Sequence, residues 1–194
     1  MRFALGIIIT LLLGSAAFAQ QSEYTEIELE TGCIYFEEYE QGARAYCSGL
    51  KGYPVHFAEG DLRHMVQFGH IGSIEGQWES FSQFNHINDT VEWRLNKNLP
   101  YAAILRWFIE NSNENGEYSN ELKGQVLVVS TVASHASPQS CVVGYVDARA
   151  NKNANAIARN VADKFARGFK CGTDTPKFHG KRGESAGTPS RSFQ

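Results

Sequence analysis

Residues 141–171, CVVGYVDARANKNANAIARNVADKFARGFKC, decide how this chain is read: a strand, a turn and a helix enclosed between two cysteines. Val142, Val143, Tyr145 and Val146 form a short run rich in β-branched and aromatic side chains, which suits a strand better than a helix. From Ala154 the period changes. Ala154, Ile157, Ala158, Val161, Ala162 and Phe165 fall at the three-and-four spacing that gathers them on one side of a helix. Asn151 or Asn153 is placed to cap its start, and Gly168 to end it. A strand of about eight residues advances ~26 Å and a helix of about fourteen returns ~21 Å, which brings Cys171 back beside Cys141. The expected result is a disulfide between them, worth about 3 to 4 kcal/mol in the chain-entropy picture.

Working outward, the N-terminal end has Arg2, an apolar run over residues 3–13, and small residues leading to Ala17, Phe18 and Ala19 before Gln20. That pattern predicts a secretory signal peptide over residues 1–19, cleaved before Gln20, and hence a periplasmic or secreted protein. No later run approaches 18 uninterrupted apolar residues, so no transmembrane segment is expected in the mature chain. About 175 residues then remain, enough for a single domain with its own core over residues 20–172. Four cysteines in an exported chain read as two disulfides, and with Cys141 joined to Cys171 the second is Cys33 with Cys47.

Net charge is -3, with Lys and Arg scattered through the body of the chain, a distribution without a nucleic-acid footprint. The acidic residues are less even: residues 20–43 hold seven Glu and no Lys or Arg. Glu26, Glu28 and Glu30 alternate with Ile27 and Leu29 as on a half-exposed strand, so this front reads as a solvated edge.

Between these ends the chain reads as hairpins. Residues 33–47 form the first, turning at Glu40, Gln41 and Gly42, with the cysteine bridge across its arms. Residues 55–68 form the second, turning at Glu59, Gly60 and Asp61. Residues 69–88 hold Trp78, Phe81 and Phe84 among Gly and Ser and read as a long aromatic loop. Strands follow at 91–95, 101–109 and 125–132. The fold class is therefore α+β: a mainly antiparallel β-meander with one C-terminal helix packed on it and two disulfides. Residues 173–194 offer little to bury and read as a disordered basic tail.

The six histidines show no metal-ligand spacing such as HExxH, and no cofactor is expected. If the 55–68 hairpin pairs around its turn, His56 and His64 come near one another, and with Asp61 they form the candidate centre of a hydrolase or metal-dependent enzyme. Residues 48–51 match SxxK without the partner motifs of serine acyl enzymes, and residues 72–76 put Ser second, so they are not the GxSxG elbow.

The runs KGYPVHFAEGDLRHMVQFGH, PYAAILRWFIE and CVVGYVDARANKNANAIARNVADKF, with the later FHGKRGE, resemble a family of small exported bacterial proteins of unestablished function. The resemblance implies export and a single domain and brings no catalytic residues with it. The leading expectation is a non-enzymatic binding protein of the periplasm or cell envelope, its partner another protein or an envelope component. The aromatic loop with Trp78, Phe81 and Phe84, flanked by His70 and His86, is the expected contact surface.

Overall fold

The computed structural model describes residues 21–72 and 78–192. The expected signal peptide lies outside the described residues. Twelve strands are found among the described residues: β1 (Gln21–Glu26), β2 (Cys33–Tyr39), β3 (Gly42–Cys47), β4 (Val55–Gly60), β5 (Arg63–Gly69), β6 (Trp78–Phe81), β7 (Asn85–Asn96), β8 (Leu99–Ile109), β9 (Gly124–Ala133), β10 (Val142–Asp147), β11 (Lys177–Phe178) and β12 (Pro189–Ser192). A helix, α1 (Ala154–Phe165), follows β10.

Ten strands join in the order β11-β10-β9-β8-β7-β5-β4-β3-β2, with β1 added beside β7, while β6 and β12 make a separate pair. The runs β2 to β5 and β7 to β10 pair antiparallel between consecutive strands, as the hairpin reading expects, but the sheet is mixed. It curls until β5 meets β9 in parallel at Phe68–Val132 and Gly69–Ala133, and touches β7 in parallel at Arg63–Asn85. The strand β11 also runs parallel to β10. These parallel contacts join strands far apart in sequence, which adjacent-hairpin reasoning does not reach. Gly69 sits at the junction with φ +88°, and a Cβ there would stand 2.2 Å from the Ala133 carbonyl oxygen. Only glycine permits that approach.

The curl encloses one core, including Val55, Phe57, Phe68, Trp93, Leu105, Trp107, Val126 and Val128. A second lies on the outer face of β8, β9 and β10, where Ile104, Leu127, Val129, Val143 and Val146 meet Ala154, Ala158, Val161 and Ala162 of α1. Strand period explains why β8 and β9 are apolar on both faces: odd and even residues serve different cores. Phe165, placed by its period on the apolar side, is instead 46% exposed and lies against the His179 ring.

Both disulfides form as expected, Cys33–Cys47 across the β2–β3 hairpin and Cys141–Cys171 with Cα atoms 5.7 Å apart. The helix start differs from expectation. Asn153 stands at the cap position without a side-chain capping bond, and Asn151 faces elsewhere. Its Nδ2 donates to the Asp147 and Lys181 carbonyls, and its Oδ1 accepts from the Lys181 N–H. The helix then gives way to a 3-10 turn, Ala166–Gly168.

The chain after Gly172 is not the disordered tail its composition suggests. Phe178 stacks on Tyr145 at 5.2 Å, the Arg182 guanidinium lies 4.3 Å above the Phe178 ring, Ala186 is fully buried, and β12 pairs along β6. Its anchor is Asp147, a fully buried carboxylate whose Oδ1 accepts from the N–H groups of Arg149 and Ala150 and whose Oδ2 accepts from Gly183. The tail is held by backbone hydrogen bonds to buried side chains together with a few apolar contacts, too few for hydropathy to reveal it.

Candidate functional site

The residues expected to converge are dispersed by register. In the β4–β5 pair His56 stands opposite Gln67 and His64 opposite Glu59, so the two histidines point to opposite faces. His64 turns inward: its ring packs edge-on to Phe57, Nδ1 accepts from the Ile87 N–H at 3.3 Å, and burial lowers its pKa to about 4. His56 turns outward, packs edge-on beside Tyr46, and its Nε2–H donates to the Gly69 carbonyl at 2.8 Å. Burial lowers its pKa as well. Asp61 is in the turn, paired with Arg63. The candidate centre of His56, His64 and Asp61 therefore does not assemble, and no cluster of metal-ligating side chains occurs among the described residues.

The aromatic residues of the expected loop also part company. The stretch is not one loop, because β6 and the start of β7 lie within it. Phe81 belongs to the core, against Trp107 and Tyr145. Phe84 lies under the Arg63 guanidinium at 4.9 Å. His86 stacks on Phe108, with Nδ1 3.5 Å from Glu110. His70 stacks on His135 at 4.5 Å, beside Tyr53. Of the set, Trp78 alone is a substantially exposed aromatic, and it lines a groove of about 520 Å³ between β6 and the outward face of β4 and β5.

That groove is built by strand alternation. Residues facing inward on β4 and β5, such as Val55, Phe57, Val66 and Phe68, fill the core, so His56, Ala58, Met65 and Gln67 are left facing outward to form its floor. Arg44 stands opposite Ala58, and Arg63 closes the turn end. The strand β6 is fastened above by the Ser80 hydroxyl, which donates to the His64 carbonyl at 2.8 Å. The walls are mainly apolar, with two guanidinium groups near the turn ends of their strands.

The same face continues along β3 and β2. Tyr46 neighbours His56, Phe36 stacks on Tyr46 with centroids 4.5 Å apart, and Ile34 stands opposite Tyr46. Ile34 is 74% exposed, Phe36 45%, Tyr46 43% and Trp78 42%. Three of these large apolar side chains thus lie in water on the outward face of β2 and β3, which leads into the groove, and Trp78 of β6 stands at the groove itself. Sequence reasoning missed Ile34, Phe36 and Tyr46 because a hairpin with apolar residues on its arms reads as a core element. A fainter signal was present: CIYFEEY is aromatic on both faces yet runs straight into an acidic turn.

One carboxyl group is unusual. Glu79 sits between β6 and β10, where Oε2 accepts from the Val142 N–H while Oε1 is enclosed without a hydrogen-bond partner. Burial pushes its pKa up to about 7, although Arg191 opposite it on β12 acts the other way. The Tyr145 hydroxyl is likewise enclosed without a partner, and burial and the Glu79 charge raise its pKa.

Chemically, the groove presents apolar area with two carboxylate-paired guanidinium groups toward the turn end, an arrangement suited to holding a ligand. No protein-family model, curated protein or solved structure matches the chain.

Proposed function

We propose that this chain is an exported, non-enzymatic binding protein of the periplasm or cell envelope, and that it recognises its partner through the β2–β5 face and the groove under Trp78. The observation that carries the reading is the run of exposed Ile34, Phe36 and Tyr46 along one face that leads to a groove of about 520 Å³ lined by the exposed Trp78. Water-exposed apolar area of this kind is costly to maintain and marks interaction surfaces. Export is supported by the signal-peptide pattern at residues 1–19, by two disulfides, and by the resemblance to exported bacterial proteins. Among the described residues no helix is long and apolar enough to cross a membrane.

The test compares wild-type protein with Trp78→Ala and Phe36→Ser in capture from envelope extracts and in binding of the isolated captured species. The expected result is one specific partner whose affinity drops about tenfold or more in both variants, the loss of an aromatic anchor being worth about 1 to 2 kcal/mol. A partner held equally well by all three proteins, or none at all, would refute the reading.

A further inference from the structure

We propose that the outer edge of β2 receives an extended, basic segment of a partner polypeptide as an added strand. The inference deepens the binding reading above by naming the chemistry of the partner, and it rests on that reading.

The edge is open. The strand β2 stands last in the sheet order and pairs only with β3 among the described residues, and Ile34 to Tyr39 are all exposed. Its outward backbone N–H and C=O groups therefore form a ladder that another strand can complete. The hairpin is also preorganised. The Cys33–Cys47 bridge joins its arms, and Tyr39 donates its hydroxyl proton to the Glu59 carbonyl at 3.2 Å, so little ordering would accompany binding.

Side chains supply the anchors. Ile34 and Phe36 project on the Tyr46 face, and Tyr35 on the other, so an incoming strand would find apolar surface on both sides of its backbone.

Charge selects among occupants. Residues 20–43 carry seven Glu and no Lys or Arg; Glu37, Glu38 and Glu40 lie on or beside β2, and Glu28 and Glu30 precede it. Arg44 answers one of these, pairing with Glu37 at 3.2 Å. A second copy of β2 would bring a second set of Glu37, Glu38 and Glu40 to the same ladder, adding like charge to an edge that is already acidic, and the irregular register between Tyr35 and Glu37 bends the edge away from flat stacking. An anionic lipid surface meets the same repulsion. A strand with Lys or Arg spaced along one face turns repulsion into attraction, which is how an edge can exclude copies of itself and admit a partner.

The experiment uses the disulfide-intact mature chain and three synthetic nonapeptides: acetyl-KVTVKVTVK-amide, its analogue with Glu for Lys, and the basic peptide N-methylated at alternate residues. Hydrogen exchange of residues 33–39 and peptide affinity are read together. The basic peptide is expected to slow exchange on β2, and its affinity is expected to fall about tenfold or more with the Glu analogue, with the N-methylated form, or with Ile34→Ser. The exposed pair Glu38→Lys and Glu40→Lys is expected to reverse the preference between the charged peptides, while Leu99→Ser, at an exposed residue of β8 distant from this edge in the sheet order, leaves it unchanged. Unaltered exchange on β2, equal binding of both charges, or full binding of the N-methylated peptide would overturn the proposal. So would sedimentation showing a dimer that protects β2 without peptide. If the peptides leave β2 unprotected while capture still depends on Trp78, only the strand addition fails; if capture is also indifferent to Trp78 and Phe36, the binding reading falls with it.

Discussion

Glu79 is a carboxyl whose chemistry departs far from its ordinary behaviour. An enclosed carboxyl with one bonded oxygen holds its proton until about pH 7, whereas an exposed glutamate loses it near 4.5. Between those values the folded chain binds more protons than the unfolded one, so stability falls as pH rises through that window and is greatest below it. Glu79→Gln keeps an acceptor for the Val142 N–H and removes the titration. The variant is expected to match wild type near pH 4 and to exceed it by about 1 to 3 kcal/mol at pH 8, measured from urea midpoints. His64 acts in the opposite direction, favouring the fold while neutral and opposing it as pH falls from 6.5 through about 4. It is present in both proteins, so the difference between the two curves isolates Glu79. Parallel curves would mean that Glu79 is ionised in the folded state.

At the scale of elements, the helix is held by more than its apolar stripe. Arg94 of β7 reaches Asp163 of α1 with two bonds, Nε to Oδ1 at 2.9 Å and Nη2 to Oδ2 at 2.8 Å, and the Tyr101 hydroxyl donates to the same carboxylate at 2.6 Å. Arg159 of α1 pairs with Glu92 of β7 at 2.6 Å. The Arg94 side chain is only 6% exposed, so removing Asp163 leaves a buried charge with only the Ser22 hydroxyl and the nearby Glu92 to offset it. Asp163→Ala is expected to cost about 2 to 4 kcal/mol in chemical denaturation, and Asp163→Ala with Arg94→Met less than that, because the stranded charge is gone. Burial and the bond to Asp163 also raise the Tyr101 pKa to about 12. If the double variant is less stable than the single, the pair contributes net stability beyond avoiding a stranded charge. The spacing of Ala154, Ile157, Ala158 and Val161 marked the helix and its buried side, while the partner of Asp163 lies 69 residues away and leaves no trace in local pattern.

Across the whole molecule, residues 173–192 act as a strap that follows α1, pairs along β10 and ends on β6. The strap depends on Asp147 and Asn151, side chains fixed at the end of β10 and before α1. Asp147→Ala is expected to destabilise the protein by about 2 to 4 kcal/mol, since three N–H groups lose a buried acceptor, and to raise hydrogen exchange selectively over residues 177–192. Unchanged exchange there would show that β12 pairing alone holds the strap. Hairpins, helix and both cysteine pairings were legible because each depends on contacts between near neighbours, expressed as period, turn residues and chain length. The site was barely legible: Trp78 was identified, but His56 and His64 were separated by a register that sends adjacent candidates to opposite faces. By itself the sequence determined the β-rich class, the terminal helix and the two disulfides. Only the tertiary structure decided the curled mixed sheet, the ordered strap and the exposed aromatic face, because those follow from which distant strands meet and which side of each strand the core claims first.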